Sequence, residues 1–244
     1  MVVHQSNIRH LLNCPKAFQL SLESEITRSR EMADGLILEQ LVFGSKGNDI
    51  EELLSNGKKP TKAQLERLAR FERFADAIRK RLKFGGYPFM KIGTEYKGLI
   101  LEGEMDFFGV LNGEQVIADL KFTKSIDRIW MTKTRKADFL QAVAYNYIAK
   151  KSELTKEYIP FVYILVQNDT SETPLIKVVR VVVTDADAKW FESILDDIIL
   201  FETYGEFPAE PNEYKCAKCP FIAHCAEGKS VTEEPITIEF GGLE

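Results

Sequence analysis

No stretch of the 244 residues is apolar for long enough to cross a bilayer, and the opening MVVHQSNIRHLLNCPKAF lacks the layout of a secretory leader. A soluble, cytoplasmic protein is the expectation. Internal repeats and low-complexity blocks are missing too, which excludes a solenoid or a biased, disordered chain. The phosphate loop G-x-x-x-x-G-K-[ST] does not occur, so nucleotide-driven work would fall to another chain. A large excess of either charge is missing: the net charge of −5 argues against a protein that coats nucleic acid indiscriminately, but leaves room for a local basic surface. Histidine is rare, with His4, His10 and His224 only, and cysteine is limited to Cys14, Cys216, Cys219 and Cys225. One cysteine alone and three bunched is the pattern of a metal site, not of a disulfide framework.

What is present is enough for a core, since 45% of the residues are apolar and 11% aromatic. Apolar residues at helical spacing over 5–24, with Pro15 interrupting, predict two short helices meeting just after Cys14. A further helix is expected over 32–43. Residues 45–90 are charged and helical, broken at Asn56-Gly57 and Gly85-Gly86, and KAQLERLARFERFADAIRKRLKF reads as one long amphipathic helix. The block is too short to build a good core of its own and is expected to be a helical insertion.

From about residue 91 the period changes to two. Strands are predicted at 92–102, 104–111 and 114–122, with Asn112-Gly113 as a tight hairpin turn. KADFLQAVAYNYIAKK returns to helical spacing, strands follow at 158–167 and 174–184, and a helix capped by Thr184 or Asp185 runs to Tyr204. Helices, three strands, helix, two strands, helix describes a mixed α/β core. The expected organisation is N-terminal helices over 1–44, the insertion over 45–90, a core over 91–205, a cysteine-rich segment over 206–230 and an acidic tail over 231–244.

The segment GEMDFFGVLNGEQVIADLKFTKS carries the chemistry. Asp119 and Lys121 are two apart on one strand and therefore share a face, and the hairpin brings Asp106 within reach of Asp119. Two carboxylates can bind a hard divalent cation, and an ammonium beside them can orient a water or stabilise charge on a phosphate, which is the set that phosphodiester hydrolysis needs. Asp-x-Lys alone is common, and a structural Asp–Lys contact is the plain alternative. Gly103-x-x-Asp106, the hairpin and then Asp119-Leu-Lys121 after an apolar run make the segment resemble the PD-(D/E)XK nucleases. Gln141 and Tyr145, one helical turn apart on the next helix, resemble the Gln-x-x-x-Tyr motif of the RecB-like branch.

The resemblance implies a restriction-endonuclease-like mixed sheet flanked by helices, Mg²⁺ or Mn²⁺ as cofactor, and Asp106, Asp119, Lys121, Gln141 and Tyr145 as catalytic residues. It departs at the first motif, since Gly35-Leu-Ile-Leu-Glu39 places Glu39 where that branch usually carries a histidine ligand. Glu39 can complete a three-carboxylate site with Asp106 and Asp119 and would favour Mg²⁺; a solvent-facing Glu39 is the alternative. Glu95 is a weaker candidate for a supporting contact, against a plain surface charge.

One early cysteine followed by Cys-x2-Cys-x5-Cys is similar to the arrangement in AddB-type and CRISPR-adaptation nucleases, and implies a [4Fe–4S] cluster on Cys14, Cys216, Cys219 and Cys225. Four thiolates suit Fe–S or Zn²⁺ equally, and spacing does not separate them; a Cys₃His zinc site using His224 is a further alternative. Either metal would clamp the N- and C-terminal segments into one subdomain. Lys124, Arg128, Lys133, Arg135 and Lys136, with Trp130 among them, form a basic stretch able to meet DNA phosphates and stack a base. A solvated loop with a half-buried Trp explains it as well.

The function implied is a DNA nuclease, an exonuclease on single-stranded DNA or DNA ends in recombination, repair or a phage-like setting, with any helicase or recombination partner on another chain. Two competing readings stay open: a catalytically silent iron–sulfur DNA-binding accessory protein, and a zinc-stapled interaction module.

Overall fold

The computed structural model describes residues 1–24, 29–44, 50–55, 57–124, 126, 136–168 and 173–233. It divides into two compact units, one of Met1–Gln5 with Thr27–Asp196 and one of Ser6–Ile26 with Asp197–Glu244. Among the described residues no helix is long and apolar enough to cross a membrane.

The first unit is a mixed six-stranded sheet between helices. Its strands are β1 (Val2–His4), β2 (Phe84–Tyr96), β3 (Leu99–Leu111), β4 (Glu114–Thr123), β5 (Phe161–Gln167) and β6 (Ile176–Val181). Two hairpins shape the centre. Asn112-Gly113 turns β3 into β4 with both φ positive, as its sequence predicts. Lys97-Gly98 does the same between β2 and β3, so the predicted strand over 92–102 is cut there. The first strand of this meander begins at Phe84, inside the block expected to be helical. Strand β1, which no pattern in the sequence predicts, joins β3 in parallel through Val2, Val3 and His4.

Central strands must be apolar on both faces when helices cover both, and β5 is buried from Phe161 to Val166. Val162, Ile164 and Val166 join a core with Ala118 and Leu120 of β4 and Phe107 of β3. Ile37 and Leu38 of α3 (Arg30–Phe43) and Phe71, Phe74 and Ile78 of α5 (Lys62–Arg81) close that core. The short α4 (Ile50–Ser55) adds Leu53 and Leu54. The region read as an insertion therefore shares with α3 the closing of one side of the main core. Its long helix starts where the sequence says: Thr61 accepts from the Gln64 amide, and the Gln64 side chain returns to Thr61.

Residues of opposite parity face α6 (Lys136–Lys151), where Phe161 stacks on Tyr145 with centroids 6.2 Å apart. Helix α7 (Asp185–Tyr204) packs Phe191 on Tyr147 and is capped by Thr184, whose hydroxyl and amide both pair with Asp187.

The second unit holds α1 (Gln5–Leu11) from Ser6 onward, α2 (Pro15–Glu23), the end of α7, and two short helices, α8 (Glu213–Cys216) and α9 (Ala226–Glu233). Proline at the first turn of α2 needs no amide partner, which is why the helix restarts just after Cys14. Ala17, Leu20 and Phe221 form a small core on which Cys14, Cys219 and Cys225 pack.

Candidate active site

A strand has two edges, and β2 covers one edge of β3 from Leu99 to Leu111. The other edge is shared: β1 pairs with residues 100–102 and β4 with 107–111. Residues 103–106 lie between the two ladders, and the sheet forks there. Gly103, Glu104 and Asp106 come from this opening, Asp119 and Lys121 from the arm of β4 leading away from it.

Side chains take over where the ladder stops. Asp106 Oδ2 accepts the Leu120 backbone N–H at 3.0 Å, just beyond the last ladder pair, Phe107 with Ala118. Tyr145 Oη donates to the Glu104 carbonyl at 2.7 Å. On the other edge the pairing steps from Phe107 to Met105, and Phe89 facing the gap is left-handed with φ 50°.

Asp119 lies at the floor, 3% exposed. Its Oδ1 accepts from Lys121 Nζ at 2.9 Å and from Gln141 Nε2 at 2.6 Å, and its Oδ2 stands 2.7 Å from the same ammonium. Burial works against the Lys121 ammonium, but Asp119, Asp106 and Glu39 outweigh it and hold the pKa above the usual lysine value. Burial first, then Asp119 and Asp106, pushes the Tyr145 hydroxyl up, so at neutral pH it is a hydrogen-bond donor.

Asp106, Asp119, Lys121, Gln141 and Tyr145 are thus gathered at the fork, and Glu39 of α3 lies within electrostatic range of Lys121. Among the described residues no group of three or more His, Cys, Asp or Glu is arranged to hold a metal ion. Asp106 is turned to a backbone amide and Asp119 to Lys121 and Gln141, so a cation at Asp119 would compete with the ammonium. The donor set itself, hard carboxylate oxygens beside one amine, fits a hard divalent ion. Glu95 sits on β2 opposite Ile100. Lys124 is exposed and 4.0 Å from Glu31. Arg128, Trp130, Lys133 and Arg135 lie outside the described residues, and Lys136 is the first residue of α6.

Two further contributors emerge from packing: one, Tyr163, escaped the sequence, and the other stood there only as the first residue of Gly103-x-x-Asp106. Tyr163, paired with Asp119 across β4 and β5, donates to Gln141 Oε1 at 3.4 Å and so orients the amide that holds Asp119. Gly103 is the other: a Cβ there would stand 2.6 Å from Tyr145 Cε1. Gly103→Ala is expected to expel the Tyr145 ring, lower stability by about 1–3 kcal/mol and cost roughly tenfold in activity, since about 1.4 kcal/mol of lost positioning is a factor of ten. Thermal melts and rates measured beside Tyr145→Phe would check it; an alanine variant with wild-type rates would refute the packing argument.

In the second unit, Cys14, Cys216, Cys219 and Cys225 line one cavity of about 210 Å³ with His10, Tyr214 and Gly228. None of the four is joined to another by a disulfide. Backbone amides of Glu210, Asn212 and Gly228 donate to the sulfurs of Cys14, Cys216 and Cys225 at 3.3, 3.4 and 3.3 Å. His224 lies on a single 3-10 turn beside Cys225.

The family model of the PD-(D/E)XK nuclease superfamily matches residues 4–226. The chain belongs to that superfamily. Its members' fold agrees with the mixed sheet and flanking helices described above, and membership places the chain among hydrolases acting on nucleic acid. The structure resembles that of a candidate exonuclease from Eubacterium rectale, with a TM-score of 0.57 and 19% identity over 84% of this chain and 82% of the other. A second solved structure, SSO0001, superposes with a TM-score of 0.47 at 12% identity, covering 92% and 85%. No curated protein matches the chain. In this PD-(D/E)XK chain, Asp106, Asp119 and Lys121 lie at the fork of the sheet.

Proposed function

We propose that this PD-(D/E)XK protein is a metal-dependent deoxyribonuclease, an exonuclease acting on single-stranded DNA or DNA ends in recombination, repair or a phage-like setting. One observation carries the reading: Asp106, Asp119 and Lys121 converge with Gln141 and Tyr145 where the sheet opens. Asp106 and Asp119, with Glu39, would hold Mg²⁺ or Mn²⁺. When bound, such an ion polarises the phosphoryl oxygen and lowers the pKa of its water. Lys121, kept protonated by its carboxylate neighbours, meets negative charge building on the phosphate. Gln141 fixes the Asp119 carboxylate, and Tyr145 fixes the backbone beside Asp106. Lys124, Lys136 and the basic segment with Trp130 would guide the strand.

The four cysteines would hold a [4Fe–4S] cluster. Zn²⁺ held by the same four thiolates is the alternative. A cluster, in which each thiolate has its own iron, asks only that they ring one cavity. Backbone amides already donate to three of the sulfurs, a contact that cluster sulfurs also accept.

A silent DNA-binding accessory protein is the second reading, favoured by the engagement of Asp119 with Lys121 and Gln141. End-labelled single- and double-stranded DNA incubated with Mg²⁺ or Mn²⁺ separates the two. Metal-dependent shortening from an end is expected, and binding without any cutting would establish the silent protein instead.

A further inference from the structure

Two ion pairs of the first unit join a buried carboxylate to a long cation, and they differ in how they are sealed. Asp34 and Arg67 are both closed off, at 8% and 10% exposed. Asp119 is 3% exposed, but its partner Lys121 is 31% exposed. The carboxylate is fixed and the ammonium has a way out. Asp119 is held by its place in the β4–β5 ladder, opposite Tyr163, and by the Gln141 amide, which donates to Oδ1 at 2.6 Å. Lys121 reaches it from the same face of the same strand, through a flexible four-carbon stem. Rotation of that stem is enough to leave the carboxylate, with no shift of the sheet.

The ammonium also sits where a cation is strongly favoured. Its nitrogen straddles the carboxylate, 2.9 Å from Oδ1 and 2.7 Å from Oδ2. Asp106 and Glu39 add their fields to that of Asp119. These are the same three carboxylates that would hold the divalent ion. One well of negative potential therefore serves two cations, which repel each other if both enter it. A buried carboxylate stripped of its counter-charge is costly, so the ammonium stabilises the site while no metal is bound.

We propose that Lys121 is the resident counter-ion of the active site, and that loading with a divalent ion is an exchange in which the ion takes the Asp119 carboxylate and the displaced ammonium becomes free to meet the phosphate. The inference rests on the metal-dependent nuclease reading. It makes the engagement of Asp119 with Lys121 the resting state of a competent site. It also sets an order, since a lysine still held by Asp119 is not available to the substrate.

Binding of Mn²⁺ to the intact protein without DNA, read from the electron paramagnetic resonance of free Mn²⁺, tests the exchange. Lys121→Met keeps the stem and removes the charge. It is expected to bind Mn²⁺ about tenfold more tightly than wild type, because the ion no longer displaces a charge-assisted hydrogen bond. Adding Asp119→Asn to Lys121→Met is expected to abolish that gain. In the wild type, the ¹³Cε resonance of Lys121 is expected to move as Mg²⁺ is added. Equal or weaker Mn²⁺ affinity in a folded Lys121→Met protein overturns the exchange. If that variant does not fold, the wild-type resonance decides: a signal unmoved at saturating Mg²⁺ overturns the exchange, and leaves the nuclease standing where DNA is still cut. A protein that shows the exchange and cuts no DNA overturns the nuclease reading alone.

Discussion

Asp119→Asn is expected to slow metal-dependent DNA cutting about a thousandfold, the equivalent of about 4 kcal/mol of transition-state stabilisation. The substitution keeps an oxygen for Gln141 Nε2 to bond and changes little in volume, so it removes the charge without removing the contact. Loss of that charge strikes twice. A divalent ion would lose its buried ligand, and Lys121 loses the carboxylate that most favours its ammonium form. Lys121 is 31% exposed and can reach water, so the fold should survive. Single-turnover digestion of end-labelled DNA, with a thermal melt to show the fold intact, measures both. An Asn variant that cuts at the wild-type rate would remove Asp119 from the chemistry.

Of all single changes, loss of a cysteine should do the most to stability. Cys14→Ala is expected to abolish bound iron and the broad visible absorbance of a cluster, and to lower Tm by about 10–20 °C. Metal held by residues distant in sequence contributes directly to folding energy, and at about 2–4 °C per kcal/mol for a chain of this size a loss of about 5 kcal/mol has that effect. Among the described residues the buried core around these cysteines is small, Ala17, Leu20 and Phe221, so little apolar packing is there to compensate. His224→Ala serves as the contrast: a Cys₃His zinc site would lose its metal with that change, and a four-cysteine cluster would not. Purified protein that holds zinc and no iron would refute the cluster.

Much of this was legible in the sequence because it is local. Helix α6 begins and ends where its apolar spacing changes, and Thr184 with Asp187 marks the start of α7. Asp119 and Lys121 share a face because strand side chains alternate, and the Asn112-Gly113 turn requires the positive φ its residues tolerate. The failures are non-local. Gly85-Gly86-Tyr87-Pro88 reads as a break, yet it forms the start of a strand whose partner residues stand about 20 positions and more along the chain. Strand β1 has three residues and exists only through its partner. Tyr163 and Gly103 reach the site through the packing of α6 on the sheet, which no spacing along the chain encodes. Glu39 was placed by resemblance, and its approach to Lys121 depends on how α3 lies on β4.

Because the Leu120 amide hydrogen bonds to a carboxylate instead of a carbonyl, its nuclear magnetic resonance signal becomes a built-in reporter. Any event that draws Asp106 away, whether a captured ion or an arriving phosphodiester, would shift that one resonance and speed its exchange with deuterium. Neighbouring amides tied strand to strand, such as those of Ile117 and Ala118, would stay quiet. Occupancy of the reaction centre could then be followed without a cleavable substrate.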